Sequence, residues 1–85
     1  MRFLLSFPTL SSHMNNRSIY GRLGKAIIKL RKKNNLSQEN LALDCYIDRS
    51  YLADIERGKS NPSFKILYKI ARRLKIKLWC LMATV

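Results

Sequence analysis

The stretch LSQENLALDCYIDRSYLADIERG, residues 36–58, contains the start and stop signals of two short helices. Ser37 is a good N-cap for the first of them, and an acidic residue in its first turn suits the helix dipole. Asp48 is predicted to cap the helix that follows it, over residues 49–57. Gly58 stands where helices commonly end in the left-handed conformation. The stretch therefore predicts two consecutive helices joined by a tight turn.

Helical patterns continue on both sides of this stretch. Apolar residues recur with helical spacing over residues 18–34, and again after Ser63, which is a good N-cap for a further helix. A short apolar segment from Leu78 to Met82 is expected to form a fifth helix. Nowhere does the sequence alternate with the period of two that marks a half-buried strand. The sequence therefore predicts an all-α domain, a compact bundle of four to five short helices.

This domain is predicted to span residues 18–85, with residues 1–17 as a flexible N-terminal arm or extension. The apolar run near the start is interrupted by Pro8, and it is too short for a signal-peptide core or a membrane span. Met14 is an alternative start, because the patterned sequence begins just after it. The C-terminal LWCLMATV is also too short to cross a membrane.

The charge of the chain is strongly unbalanced, since 17 Lys and Arg residues against five acidic residues give a formal net charge of +12. Such a field favours polyanions, either nucleic acid or an anionic membrane surface. The membrane alternative is disfavoured because a folded core accounts for the apolar residues. Four of the five acidic residues nevertheless lie within residues 43–58: Asp44, Asp48, Asp54 and Glu56.

Neither a metal site nor a catalytic group stands out in the sequence. Cys45 and Cys80 belong to no metal-ligand pattern, and His13 is the single histidine. We therefore expect no cofactor, no small-molecule substrate and no enzyme activity. Both cysteines lie in apolar helical contexts, which favours buried thiols in a reducing cytoplasm over one disulfide.

Four segments carry a resemblance when they are taken in order: LRKKNNLSQ, LA, IERGKSNPS and KIARRL. Together they resemble the Cro/C1-type helix-turn-helix family, which includes the lambdoid phage repressors, over residues 20–82. Within that family, IDRSYLADIERG is most similar to the controller proteins of restriction–modification systems. The resemblance implies a lambda repressor-like DNA-binding fold. It also implies a cytoplasmic transcription regulator, of bacterial or phage origin, that binds a palindromic operator in double-stranded DNA as a homodimer.

The family geometry implies which residues meet DNA. The second helix begins against the DNA backbone, and the third enters the major groove by its N-terminal end. Arg49 at that end can bond guanine through two hydrogen bonds, although a solvated arginine is the alternative. Tyr51 could instead cover the rim of the core, Gln38 could pack near its cap, and Asp54 could pair with a nearby cation. The predicted DNA-binding set is Ser37, Gln38, Arg49, Ser50, Tyr51, Asp54, Lys59 and Asn61.

The resemblance also implies a structural ion pair between Arg31 and Glu56. If this pair is buried, loss of one partner is expected to cost about 3–5 kcal/mol. Asp44 is expected to be solvated or paired with a neighbouring base. Two residues depart from the family pattern, namely Tyr46 in the turn and Lys75 after the fourth helix. A tyrosine at positive φ costs about 1–2 kcal/mol, which favours a turn of different shape in this chain.

The C-terminal apolar residues are too hydrophobic for a free tail. Trp79, Leu81 and Met82 either complete the core or form a two-fold dimer contact, and the family favours dimerisation at this end. An alternative function is an antitoxin-type or phage-type repressor whose C-terminal apolar segment binds a partner protein.

Overall fold

The computed structural model of the chain describes the backbone of residues 12–85 and the side chains of residues 19–85. The all-α prediction is confirmed, because residues 12–85 form five helices and no strand. The helices are α1 (Ser12–Lys33), α2 (Gln38–Asp44), α3 (Arg49–Glu56), α4 (Phe64–Arg73) and α5 (Leu78–Met82).

The helix that departs most from its predicted bounds is α1, which begins at Ser12 rather than near residue 18. Of the arm predicted over residues 1–17, residues 1–11 lie outside the described part of the chain, and residues 12–17 are helical. No helix in the described residues is long and apolar enough to cross a membrane.

Serine side chains cap two of the helices as predicted. The Ser37 Oγ accepts a hydrogen bond from the Asn40 N–H at 2.9 Å, and the Ser63 Oγ accepts one from the Ile66 N–H at 3.2 Å. Asp48 occupies the N-cap position of α3 with an extended backbone, but its side chain makes no capping hydrogen bond. The prediction that Asp48 is the N-cap residue of α3 is confirmed, but without a side-chain hydrogen bond its carboxylate favours α3 only through the helix dipole.

The turns after α2 and α4 both contain a non-glycine residue in the left-handed conformation. Tyr46 has a φ of 58° and Lys75 a φ of 64°, while Gly58 after α3 has a φ of 77°. The expectation that Tyr46 changes the shape of the turn is therefore wrong. Tyr46 adopts the strained left-handed conformation because the backbone must reverse within a few residues between α2 and α3.

A single core holds the domain together, with contributions from every helix. Gly24 sets the separation of α1 and α3, because a Cβ at this position would lie 2.3 Å from the carbonyl oxygen of Glu56. This close approach brings the middle of α1 against the end of α3. The largest side chains with less than 2% exposure are Ile27, Leu41, Cys45, Leu52, Ile55, Ile70, Leu74 and Leu81.

Candidate nucleic-acid interface

The predicted contact between Arg31 and Glu56 is present, and it anchors the end of α3 to α1. Arg31 Nε donates to Glu56 Oε2 at 2.7 Å, and Nη2 donates to Oε1 at 3.1 Å. Arg31 Nη1 also donates to the carbonyl oxygen of Leu36 at 3.0 Å. Both side chains are largely buried, with 12% and 4% of their surfaces exposed. Two parallel charge-assisted bonds fix their orientation as well as their distance.

Gln38 connects this buried pair to the surface. Its Nε2 donates to Glu56 Oε1 at 2.9 Å, and its Oε1 accepts from Arg49 Nη1 at 3.0 Å. The side chain of Gln38 thus contacts the buried carboxylate at one end of α3 and an exposed guanidinium at the other. The result is a continuous chain of hydrogen bonds, Arg31–Glu56–Gln38–Arg49, which we call the anchor chain.

The position of Arg49 is electrostatically unusual for a structural residue. It is the first residue of α3, where the helix dipole disfavours a cation. An anion placed there would meet both the guanidinium and the free backbone N–H groups of the first helical turn. The anchor chain therefore holds a positive group at a point where an incoming negative group is favoured.

The other members of the predicted set divide by exposure. Arg49 is exposed, as are four other members of the set: Ser37, Ser50, Lys59 and Asn61. Tyr51 is partly buried and packs against the core, as its alternative interpretation required. Asp54 forms an ion pair with Arg57, which follows α3 directly. This contact favours the cation-paired interpretation of Asp54 over a contact with cytosine.

The acidic residues of the stretch are mostly neutralised within the protein. Glu56 is paired with Arg31 and Asp54 with Arg57, while Asp44 is paired with Arg73 of α4. A concentration of carboxylates near the tip of α3 would repel DNA, but three of them already have cationic partners. Of the four acidic residues in residues 43–58, only Asp48 therefore lacks a cationic partner.

The C-terminal residues do not share one environment. Trp79 is 68% exposed and Met82 is 36% exposed, whereas Leu81 is 0% exposed. Leu81 is part of the core, so of the two alternatives predicted for this residue the structure favours the core and not the dimer contact. Trp79 and Met82 remain available on the outer face of α5.

The two cysteines are free thiols. Burial, followed by the negative charge of Asp44, raises the pKa of the Cys45 thiol, while Lys69 and Arg73 act in the opposite direction. Within residues 19–85, no group of histidine, cysteine and acidic side chains is placed to hold a metal ion.

The pairing of Asp54 was predicted only as an alternative, and the contact between Gln38 and Glu56 was not predicted. The contact between Asp54 and Arg57 was detectable, because residues three apart on a helix lie side by side. The hydrogen bond from Gln38 to Glu56 had no sequence signal, since the two residues belong to different helices. Their contact depends on how α2 crosses α3.

A family model described as helix-turn-helix matches residues 27–78. The chain is 40% identical over 55 residues to the control protein C.BamHI of Bacillus amyloliquefaciens, over 64% of this chain and 68% of that protein. It is 47% identical over 58 residues to the control protein C.MunI of Mycoplasma sp., and the match covers 67% of this chain and 78% of that protein. The restriction-modification controller protein C.AhdI from Aeromonas hydrophila has a similar solved structure, with a TM-score of 0.73, 36% identity, and coverage of 75% of this chain and 97% of that one.

Proposed function

This chain belongs to the helix-turn-helix family of DNA-binding transcription regulators, and we propose that it binds a palindromic operator as a homodimer and controls a restriction–modification operon. The three relatives described above are named as control or controller proteins, which supports the last part of the proposal. The protein would act in the cytoplasm, where the operator is.

The observation that carries the proposal is the anchor chain. A long arginine side chain normally loses considerable conformational entropy when it is fixed on a base. In this protein Arg49 is already hydrogen-bonded to Gln38, which is held in turn by Glu56. Part of the ordering cost is therefore met before DNA arrives, and the remaining N–H groups of the guanidinium are free to bond guanine O6 and N7.

The residues near Arg49 in the proposed interface would contact different parts of the DNA. Ser50 stands next to Arg49 on the exposed end of α3 and can donate to or accept from a base edge. Lys59 and Asn61 lie in the loop after α3 and would contact phosphates, while Ser37 would meet the backbone at the start of α2. Phosphate contacts fix the register of α3 in the groove, and the contacts of Arg49 and Ser50 select the sequence.

Dimerisation follows from the need to read two half-sites. A single α3 of eight residues reads only a few base pairs, and a two-fold dimer would place two such helices about one DNA turn apart. The exposed Trp79 and Met82 on α5 are the proposed contact, with the same residues on both protomers.

The proposal is tested by measuring binding to a symmetric duplex from the protein's own promoter and to scrambled DNA at physiological salt. Arg49→Ala should lose about 1–3 kcal/mol of discrimination at one base position in each half-site. Lys59→Ala should weaken all sequences alike and reduce the slope of log affinity against log salt by about 1. Equal affinity of the parent protein for both duplexes would contradict the proposal.

Sedimentation equilibrium tests the dimer separately. Trp79→Ala should shift the protein towards monomer, and it should weaken binding to the full palindrome much more than binding to one half-site. A Trp79→Ala protein that stays dimeric would exclude α5 as the contact.

A further inference from the structure

A cleft of about 310 Å³ lies between the end of α2 and the C-terminal half of α4. Its volume falls at the lower end of the range for binding sites of small ligands. None of the residues assigned to DNA above belongs to it. The residues that line the cleft are Asp44, Tyr46, Lys69, Arg72 and Arg73.

The cleft is separated from the DNA-contacting end of α2. Gln38 is the first residue of α2 and belongs to the anchor chain, whereas Asp44 is the last residue. A helix of seven residues is about 10 Å long, so the two ends of α2 are that far apart. A ligand in the cleft could therefore be held while α3 occupies a groove.

The cleft has an uncompensated positive charge. Three cations and one carboxylate line it, and that carboxylate, Asp44, is engaged with Arg73. Within residues 19–85, neither Lys69 nor Arg72 forms an ion pair with an acidic side chain. The guanidinium of Arg72 lies 5.9 Å from the ring centroid of Tyr68, a contact that leaves its N–H groups free. Two cationic side chains thus lack an anionic partner.

An exposed apolar surface adjoins these charges. Tyr46 is 86% exposed and is held in the left-handed conformation, and Leu43, three residues earlier, is 71% exposed. A strained and exposed aromatic residue at the edge of a charged cleft brings nothing to the core, and such strain is concentrated at functional sites. Tyrosine and arginine are also the residue types that dominate the binding energy of protein interfaces.

We propose that this cleft docks an acidic segment of a partner protein, with carboxylates on Lys69 and Arg72 and an apolar side chain against Tyr46 and Leu43. The acidic side chains of a second copy of this chain do not form such a segment. Of its five acidic residues, Glu56, Asp54 and Asp44 are already paired, and only Glu39 and Asp48 remain, near the starts of two different helices. The exposed Tyr46 and Leu43 offer apolar contacts that a run of phosphates does not use, so the cleft fits carboxylates that alternate with apolar side chains better than it fits DNA.

The first test uses the full chain and a short peptide of alternating glutamate and leucine, with a peptide of glutamine and leucine as its control. Amide chemical shifts should move around Tyr46, Lys69 and Arg72 with the glutamate peptide, and much less with the glutamine peptide. Shifts centred on Arg49, Ser50 and Lys59 would mean that the peptide only imitates DNA, and this outcome would overturn the proposal. Equal effects of the two peptides would overturn it as well.

The second test separates the cleft from the general positive charge of the chain. The double variant Lys69→Glu, Arg72→Glu should raise the dissociation constant of the glutamate peptide about tenfold. The charge-matched double variant Lys32→Glu, Lys33→Glu, at the exposed end of α1, should change it less than about threefold. Equal losses in the two variants would overturn the proposal. The variant Lys69→Glu, Arg72→Glu should still bind the operator more tightly than scrambled DNA. If the parent protein itself showed no such preference, that result would contradict the proposed function but not the docking of the peptide.

Discussion

Arg31 on α1 and Glu56 on α3 are joined by two hydrogen bonds, and both side chains are largely buried. Glu56→Gln would leave the guanidinium of Arg31 buried without a countercharge, although its amide could still accept one bond. We expect a loss of about 3 kcal/mol in the free energy of unfolding. Urea denaturation measures this as a lower midpoint at an unchanged slope.

Asp54→Asn is the matched control for this measurement. It also removes one carboxylate of α3 that is paired with an arginine, but the side chains of Asp54 and Arg57 are about half exposed. An exposed pair on one helix contributes less than about 1 kcal/mol. If the two variants lose the same stability, the burial of the Arg31–Glu56 pair is not what makes it strong.

The two glycines of α1 give opposite predictions for the same substitution. Gly24→Ala would place a Cβ 2.3 Å from the Glu56 carbonyl oxygen and 2.6 Å from that of Ile55, so α1 and α3 would have to separate. We expect a loss of about 1–3 kcal/mol, as for other overpacked sites. A Cβ at Gly21 would meet nothing within 4 Å, so Gly21→Ala should stabilise α1 by about 0.5–1 kcal/mol. Thermal unfolding should show a lower melting temperature for Gly24→Ala and a higher one for Gly21→Ala. A stabilised Gly24→Ala protein would contradict the close approach of α1 and α3.

Features that depend on local chemistry could be predicted from the sequence. The N-caps Ser37 and Ser63 fix where α2 and α4 begin, because each side chain bonds an N–H group three residues later. The stop at Gly58 is also local, since this residue adopts positive φ without a steric cost. The bounds of α2, α3, α4 and α5 follow from such signals and from the apolar period.

Features that depend on tertiary contacts could not be predicted in this way. Leu81 and Trp79 are both large and apolar, and a helix of five residues is too short for the period to show which of them faces the core. Tyr46 takes a conformation that disfavours its own side chain, because the packing of α2 on α3 fixes the turn. The ion pair of Arg31 and Glu56 was expected only from the resemblance, since nothing in their spacing of 25 residues indicates a contact.

The strain at Tyr46 predicts a stabilising substitution. Tyr46→Gly removes the clash of Cβ at positive φ, and it loses little packing because the side chain is 86% exposed. After the entropy cost of a glycine in the unfolded chain, the net gain should be about 0.5–1 kcal/mol. Urea denaturation measures the gain. The same variant should bind the glutamate peptide more weakly. If Tyr46 mattered only for folding, the substitution would raise stability and leave peptide binding unchanged.

The pKa of Cys45 predicts how stability changes at alkaline pH. Burial raises the pKa of this thiol above its ordinary value of 9.0. Above about pH 9 the unfolded chain loses the thiol proton while the folded chain keeps it, so the unfolded state is favoured as pH rises. The stability of the parent relative to Cys45→Ala should therefore be constant below this pH and fall above it. A difference between the two proteins that does not change with pH would contradict the prediction.

The position of Gln38 predicts that a residue with no proposed base contact nevertheless affects sequence discrimination. Gln38→Ala removes the bond to Arg49 Nη1 and leaves the guanidinium free to adopt other rotamers. The ratio of operator to scrambled affinity should fall by about fivefold, which corresponds to one hydrogen bond. Ser37→Ala is the control, because it removes the N-cap of the same helix but leaves the anchor chain in place. Ser37→Ala should weaken both duplexes alike, and a Gln38→Ala protein with full discrimination would show that Arg49 needs no support from Gln38.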